Sequence, residues 1–176
     1  MIYITPEMKK AAQAKAQRII DAEMPNYKYV PQNANALQEL GYCIADAAIR
    51  NCKLPYTTWA KGTEIIMPDG STVKTPANYY ISRAEAPINE FLRYLALRSC
   101  ADFGFLATYC IVNKAGEDKD KPSDGFFELA SNVGLLTEQE AQDPKCREEF
   151  LTHQQREGLF HPWPKLGLCK ASQSTP

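Results

Sequence analysis

The chain has 176 residues, of which 44% are hydrophobic and 23% charged, with a formal net charge of −1. These proportions exclude a disordered or fibrous protein, and the balanced charge excludes an overall positive field of the kind that attracts nucleic acid. The length predicts a single globular domain over residues 1–170, and the small polar residues 171–176 predict a disordered tail.

The first predicted helix begins at Thr5-Pro6. Thr5 is suited to the N-cap and Pro6 to the first helical position, where its missing N–H is not needed. An alanine-rich segment continues to about Glu23, and Met24-Pro25-Asn26 ends the helix because a residue before proline disfavours helical backbone. The apolar face of this helix is thin.

A second helix is predicted from an N-cap among residues 33–35 to about Asn51. Its apolar positions include Leu37, Leu40 and Ile44, which recur at helical spacing. This wide apolar face indicates that the helix packs against the core.

A β-hairpin is predicted where residues 63–67 and 71–75 flank Pro68-Asp69-Gly70. Proline, aspartate and glycine suit the successive positions of a tight turn. Met1–Ile4 is a candidate third strand, since an isolated hairpin is only marginally stable. Pro76–Ser82 fits either a short helix or an extended stretch.

The most apolar part of the chain is residues 91–112. A helix begins around residues 84–87, and Phe103–Val112, apolar nearly all round, is either its buried continuation or a buried strand. We favour a helix, because the segment continues the preceding pattern. Arg98 and Asp102 are spaced to pair on the helix surface.

The last third of the chain begins with a charged loop at residues 115–122. A short helix follows at Ser123 or Asp124 and ends at Gly134, and Thr137–Glu140 forms a capping-box pattern. Asp143-Pro144 begins the last helix, which extends to about Glu157 and ends at Gly158. Together the elements predict a predominantly helical α+β fold, with five or six helices around a buried apolar helix and one β-hairpin at the edge.

The compartment is predicted from three features. The N-terminus lacks the basic and apolar segments of a secretory signal. The apolar stretch carries Arg93, Arg98 and Asp102, which would be costly in a bilayer, so we expect no membrane partner. The six cysteines are expected to be free thiols, since a chain of this length does not need disulfides. A cytoplasmic protein is therefore predicted.

Recognisable catalytic and cofactor motifs are absent from the sequence. There is no phosphate-binding glycine loop and no nucleophile elbow, and we expect no cofactor. Cys146, His153, His161 and Cys169 nominally offer four zinc ligands, but their long, irregular spacing disfavours a metal site. An enzyme with a dispersed active site stays open as an alternative. Its first candidates are His153 and His161, because histidine titrates nearest to neutral pH.

A second alternative is binding of nucleic acid by the basic first helix. Basic side chains with neighbouring aromatic rings are typical of surfaces that combine phosphate contacts with base stacking, although acidic residues share this helix. The candidate residues are Lys9, Lys10, Lys15, Arg18 and Lys28.

The favoured hypothesis is a non-catalytic protein that binds another macromolecule, with a protein preferred as the partner. Large aromatic rings are preferred anchors at interfaces, and Trp59, Phe160 and Trp163 are the candidates. The alternative that the same rings cover the core of the domain stays open. Small chains of this kind are common among accessory and inhibitory factors of mobile genetic elements, which is an association and not a physical argument.

Overall fold

The computed structural model describes residues 1–76 and 82–163, and within them the fold is predominantly helical α+β, as predicted. The described helices number seven, against the five or six expected, because α3 and α6 are each only five residues long. Two small two-stranded sheets complete the fold. The elements in chain order are α1 Pro6–Glu23, α2 Ala34–Ile49, β1 Leu54–Pro55, α3 Tyr56–Ala60, β2 Glu64–Ile66, β3 Thr72–Lys74, α4 Glu85–Phe103, β4 Ile111–Val112, α5 Asp124–Asn132, α6 Glu138–Gln142 and α7 Pro144–Phe160.

Helix α4 lies at the centre of the fold and packs along α1. The contact face of α1 consists of Ala12, Ala16 and Ile20, all buried. Alanine side chains allow two helix backbones to approach closely, so the thin apolar face is sufficient here. Buried side chains from Ile4 to Trp163 form one hydrophobic cluster.

The prediction of a helix through Phe103–Val112 was wrong. The predicted burial is confirmed for residues 104–112, whereas Phe103 is only partly buried. Helix α4 ends at Phe103 because Gly104 adopts the left-handed conformation, with φ +79°, and its N–H donates to the carbonyl of Cys100 at 2.8 Å. A 3-10 turn at Ala107–Cys110 then leads into β4, which pairs in parallel with β1. Buried backbone needs hydrogen-bond partners, and strand pairing provides them where the helix has stopped.

The hairpin is confirmed at the predicted residues. β2 and β3 pair antiparallel, with Ile65 opposite Val73. Gly70 accepts the left-handed turn conformation, with φ +82°. The proposed third strand at Met1–Ile4 is not formed, because this segment lies instead against α7.

Asn33 joins the hairpin to the start of α2. It occupies the predicted N-cap position of α2, but its side chain does not cap the helix. The buried amide instead accepts a hydrogen bond from the N–H of Ile66 at 2.7 Å and donates to the carbonyls of Ile66 and Tyr29, both at 2.8 Å. Asn33 therefore satisfies the outer edge of β2 as a neighbouring strand would.

The helix boundaries in the last third of the chain are confirmed except for one. Thr137 and Glu140 form the capping box of α6, and Asp143 caps α7 by accepting from the N–H of Cys146 at 2.8 Å. Gly158 does not end α7, which continues to Phe160. None of the described helices is long and apolar enough to span a bilayer.

Candidate protein interface

The N-terminal residues 1–9 lie along α7, and we call this contact the seam. At one end, the N–H of Ile2 donates to the carboxylate of Glu149 at 2.7 Å. At the other end, Lys9 forms an ion pair with Glu157 at 2.5 Å. These two fixed points hold the start of the chain against the last helix.

The seam carries the most exposed large hydrophobic side chains of the described residues. Met1 is fully exposed, Tyr3 is 77% exposed, and Phe160 is 81% exposed, whereas the next most exposed, Ile66 on the hairpin, reaches 44%. Phe160 is three residues after Glu157, so the two lie on neighbouring positions of the α7 surface. Met1 and Tyr3 adjoin the Glu149 end of the seam and Phe160 follows its Glu157 end, so the exposed side chains lie at the two ends of one contact. Exposed large apolar side chains are candidates for an interaction surface.

Two of the three predicted interface residues lie in the core. Trp59 is 4% exposed and Trp163 3% exposed, and their indole N–H groups donate to the carbonyls of Leu40 and Gly158 at 3.1 and 2.7 Å. A buried tryptophan with a satisfied N–H is more stable packed than presented to water. The interpretation of these two rings as surface anchors is therefore corrected, and Phe160 alone stays exposed.

The end of α7 folds back onto α4 through an aromatic cluster. The ring of His161 lies 4.2 Å from that of Phe103 and 4.5 Å from that of Trp163, measured between centroids. Its Nε2 atom is buried and has no hydrogen-bond partner among the described residues. Burial lowers the pKa of His161 below its ordinary value of 6.5. Its surroundings favour a neutral imidazole that serves as an aromatic packing group.

His153 lies at the seam beside a carboxylate that is already paired. Its Nε2 is 3.8 Å from Oε1 of Glu157, beyond hydrogen-bonding distance. The same oxygen is already paired with Nζ of Lys9. Burial lowers the pKa of His153, and the nearby Glu157 partly opposes the shift. In residues 1–76 and 82–163, neither candidate histidine forms the hydrogen-bonded pair with a carboxylate that acid–base catalysis would use.

The basic residues of the first helix are mostly exposed. Lys9 is occupied by Glu157, whereas the other four candidates face water. Of the two aromatic rings beside Lys28, that of Tyr27 is not free for stacking, because it donates its hydroxyl hydrogen to Glu23 at 2.8 Å and packs edge-on against Tyr94. The exposed candidates are Lys10, Lys15, Arg18 and Lys28.

An apolar pocket of about 240 Å³ lies between α2 and α4. Three aromatic side chains, Tyr42, Phe103 and Trp163, line it together with aliphatic residues. Its polar residues are Gln38, Arg98, Ser99 and Asp102. A mostly apolar concavity with a few polar groups is the usual form of a binding site. No local pattern in the sequence predicts this pocket, because its walls come from separate parts of the chain.

Two of the described thiols, those of Cys100 and Cys110, are buried in the core. Burial raises the pKa of Cys100 and of Cys110 to about 12, as expected for cysteines in the most apolar region. The five cysteines among the described residues are free, and these residues hold no cluster of three or more potential metal ligands. Cys169, one of the nominal zinc ligands, lies outside the described residues, as does the predicted tail.

Comparison with protein-family models, with curated proteins and with solved structures finds no match for this chain.

Proposed function

We propose that this chain is a non-catalytic cytoplasmic protein, of an accessory or inhibitory kind, that binds another protein through the seam. The observation that carries the proposal is the exposure of Met1, Tyr3 and Phe160 at the two ends of the contact between the N-terminus and α7. Aromatic side chains contribute a large share of the affinity at protein interfaces.

The seam is also suited to binding because its backbone is held in place. Phe160 belongs to a 17-residue helix, and Tyr3 directly follows Ile2, whose N–H is bound by Glu149. Residues that are already ordered lose less conformational entropy when they bind. The backbone at Tyr3 and Phe160 is therefore already ordered by folding, and its conformational entropy is not lost again on binding.

Affinity capture with the full chain from a lysate of the native host tests the proposal. The wild type is compared with the double variant Tyr3→Ala/Phe160→Ala, and the affinity of the purified partner is then measured by calorimetry. The loss of one interface anchor costs roughly 2 kcal/mol, which corresponds to about 30-fold in affinity. The double variant removes two anchors, so its affinity should be at least about 30-fold weaker. Ile66→Ala, which truncates a partly exposed side chain on the hairpin, is the matched control and should bind as the wild type does.

Two outcomes would contradict the proposal. One is that no partner is captured in stoichiometric amount. The other is that the double variant and the control bind a captured partner equally well. Replacement of His153 and His161 by Ala separates the enzyme alternative, since a dispersed active site that uses them would lose activity and a binding surface would keep its affinity.

Nucleic-acid binding is a second candidate, supported by the exposure of Lys10, Lys15 and Arg18 on α1. Phosphate contacts weaken as salt rises, so binding to mixed DNA or RNA should be strongest at low salt. A triple replacement of these residues by Gln should then abolish it. No binding at low ionic strength would remove this candidate.

A further inference from the structure

Gly41 is a glycine in the interior of α2 with no steric reason to be one. Glycine in a helix interior lowers stability relative to alanine, because its backbone loses more freedom on folding. A Cβ atom at position 41 would find its nearest neighbour, Cδ2 of Leu95, at 4.0 Å, an ordinary van der Waals distance. What Gly41 does border is the pocket between α2 and α4. A larger residue at this position would project into that space.

The polar groups of the pocket are bonded to the protein itself. Arg98 donates from Nε and Nη2 to the two carboxylate oxygens of Asp102 at 3.1 and 2.7 Å. The Ser99 hydroxyl donates to the carbonyl of Ala96 at 2.8 Å and accepts from the N–H of Ala107 at 2.9 Å. Because the opposite charges neutralise each other, a charged ligand would find no free counter-charge, and an uncharged occupant is favoured.

The size and the walls of the pocket favour an aromatic occupant. A dry apolar cavity of about 150 Å³ is large enough to bind benzene, and this pocket has about 240 Å³. Rings prefer to meet other rings edge to face or offset, and Tyr42, Phe103 and Trp163 provide three such surfaces.

We propose that the pocket receives an uncharged aromatic side chain of the protein partner, and that Gly41 keeps it open. This inference rests on the proposed function. The pocket lies near one end of the seam, since Trp163 forms one of its walls and is three residues after Phe160. The Cα atoms of these two residues lie at most about 11 Å apart along the chain. One partner surface can therefore contact Phe160 and insert a side chain beside Trp163.

Indole, a neutral ring of the required chemistry, is the probe for the isolated full-length chain. We expect saturable binding with a Kd on the order of 1 mM or tighter, measured by NMR titration, with shifts concentrated at Gly41, Tyr42 and Trp163. Gly41→Leu fills the pocket and should weaken indole binding at least about tenfold. Ala14→Leu adds the same side chain to the exposed face of α1 and should leave indole binding unchanged.

Indole-3-acetate and tryptamine test the preference for a neutral ligand, and each should bind more weakly than indole. The absence of saturable indole binding, shifts centred away from the pocket, or tighter binding of either charged probe would overturn the proposal. So would equal indole affinity of the wild type and a folded Gly41→Leu. If this variant does not fold, the wild type still tests the proposal, since indole-induced shifts centred away from the pocket would overturn it.

The partner capture provides the second arm. Gly41→Leu should lower the affinity for the captured protein, and excess indole should compete with it. If indole binds but Gly41→Leu leaves partner affinity unchanged, the pocket inference fails while the seam proposal stands. If the seam variant has no effect, the proposed function fails whether or not indole binds.

A marked gain of indole affinity in Leu166→Ala would show that the chain's own C-terminal residues compete for the pocket, and would overturn the assignment to a partner.

Discussion

The ring of Tyr109 lies directly against the backbone of Gly158 in α7. A Cβ atom at position 158 would come within 2.8 Å of Cε1 and 2.9 Å of Cζ of Tyr109, closer than real Cβ contacts allow. Tyr109 is buried, so its ring has little room to move away. Gly158 is therefore required by the packing of α7 against the segment before β4.

Gly158→Ala should accordingly lower the free energy of unfolding. Overpacking typically costs about 1–3 kcal/mol and here outweighs the gain of up to about 1 kcal/mol from replacing a helical glycine. Chemical denaturation of the variant and the wild type measures the difference. Unchanged or increased stability would contradict the close contact.

Gly41→Ala should have the opposite effect. The new methyl group finds its nearest neighbour at 4.0 Å, so no overlap opposes the helix preference of alanine. The expected gain is about 0.5–1 kcal/mol in the free energy of unfolding. A loss of stability would show that Gly41 has a structural role and would weaken its assignment to keeping the pocket open.

The contrast between helix starts and helix ends shows how far the sequence could predict this fold. Thr5, Thr137 and Asp143 cap their helices through contacts three residues away, so the local pattern carries the whole interaction. Gly158 was predicted to end α7 because glycine commonly does so, but its reason is Tyr109, which is distant in the chain. The left-handed conformation of Gly104, which ends α4, was likewise hidden inside an apolar run.

The candidate site was less predictable than the fold. Phe160 and Trp163 share one short segment of high aromatic content, and nothing in that segment distinguishes the exposed ring from the buried one. The difference arises from α4, where Phe103 provides a surface for Trp163. The exposure of Tyr3 was missed because Met1–Ile4 was assigned to a strand, and the pocket depends on contacts between distant segments.

Asn33→Ala should separate the hairpin from α2. The substitution removes three hydrogen bonds and leaves the N–H and carbonyl of Ile66 unsatisfied at the edge of β2. An unsatisfied buried polar group costs about 1–3 kcal/mol, so a total loss of about 2–4 kcal/mol is expected. Hydrogen exchange should show faster opening of the hairpin amides, Ile66 first. Protection equal to that of the wild type would contradict the role of Asn33.

Stability should decrease as the pH falls from 7 to 5. Burial lowers the pKa of His153 and of His161 below 6.5, so the unfolded chain takes up protons at a pH where the folded chain does not. Above pH 6.5 the two histidines are neutral in both states and the free energy of unfolding is at its full value. Below pH 6.5 the free energy of unfolding decreases progressively, until the pH reaches the lowered pKa values of the folded state. His161→Phe keeps an aromatic ring in the cluster and should lose less stability over this interval, as followed by urea denaturation. Identical pH profiles for variant and wild type would show that His161 is not the group responsible.

Trp163→Ala and Phe160→Ala together distinguish a ring that covers the core from a ring that is exposed for binding. Trp163 is buried, packs against Phe103 and Phe105 and donates to the carbonyl of Gly158, so its loss should cost about 3–5 kcal/mol in the free energy of unfolding. Phe160 faces water, and its truncation should change stability by less than about 0.5 kcal/mol. Thermal and chemical unfolding of the two variants measure both values. A large loss in Phe160→Ala would mean that this ring is packed in solution, and the seam could then no longer be its binding surface.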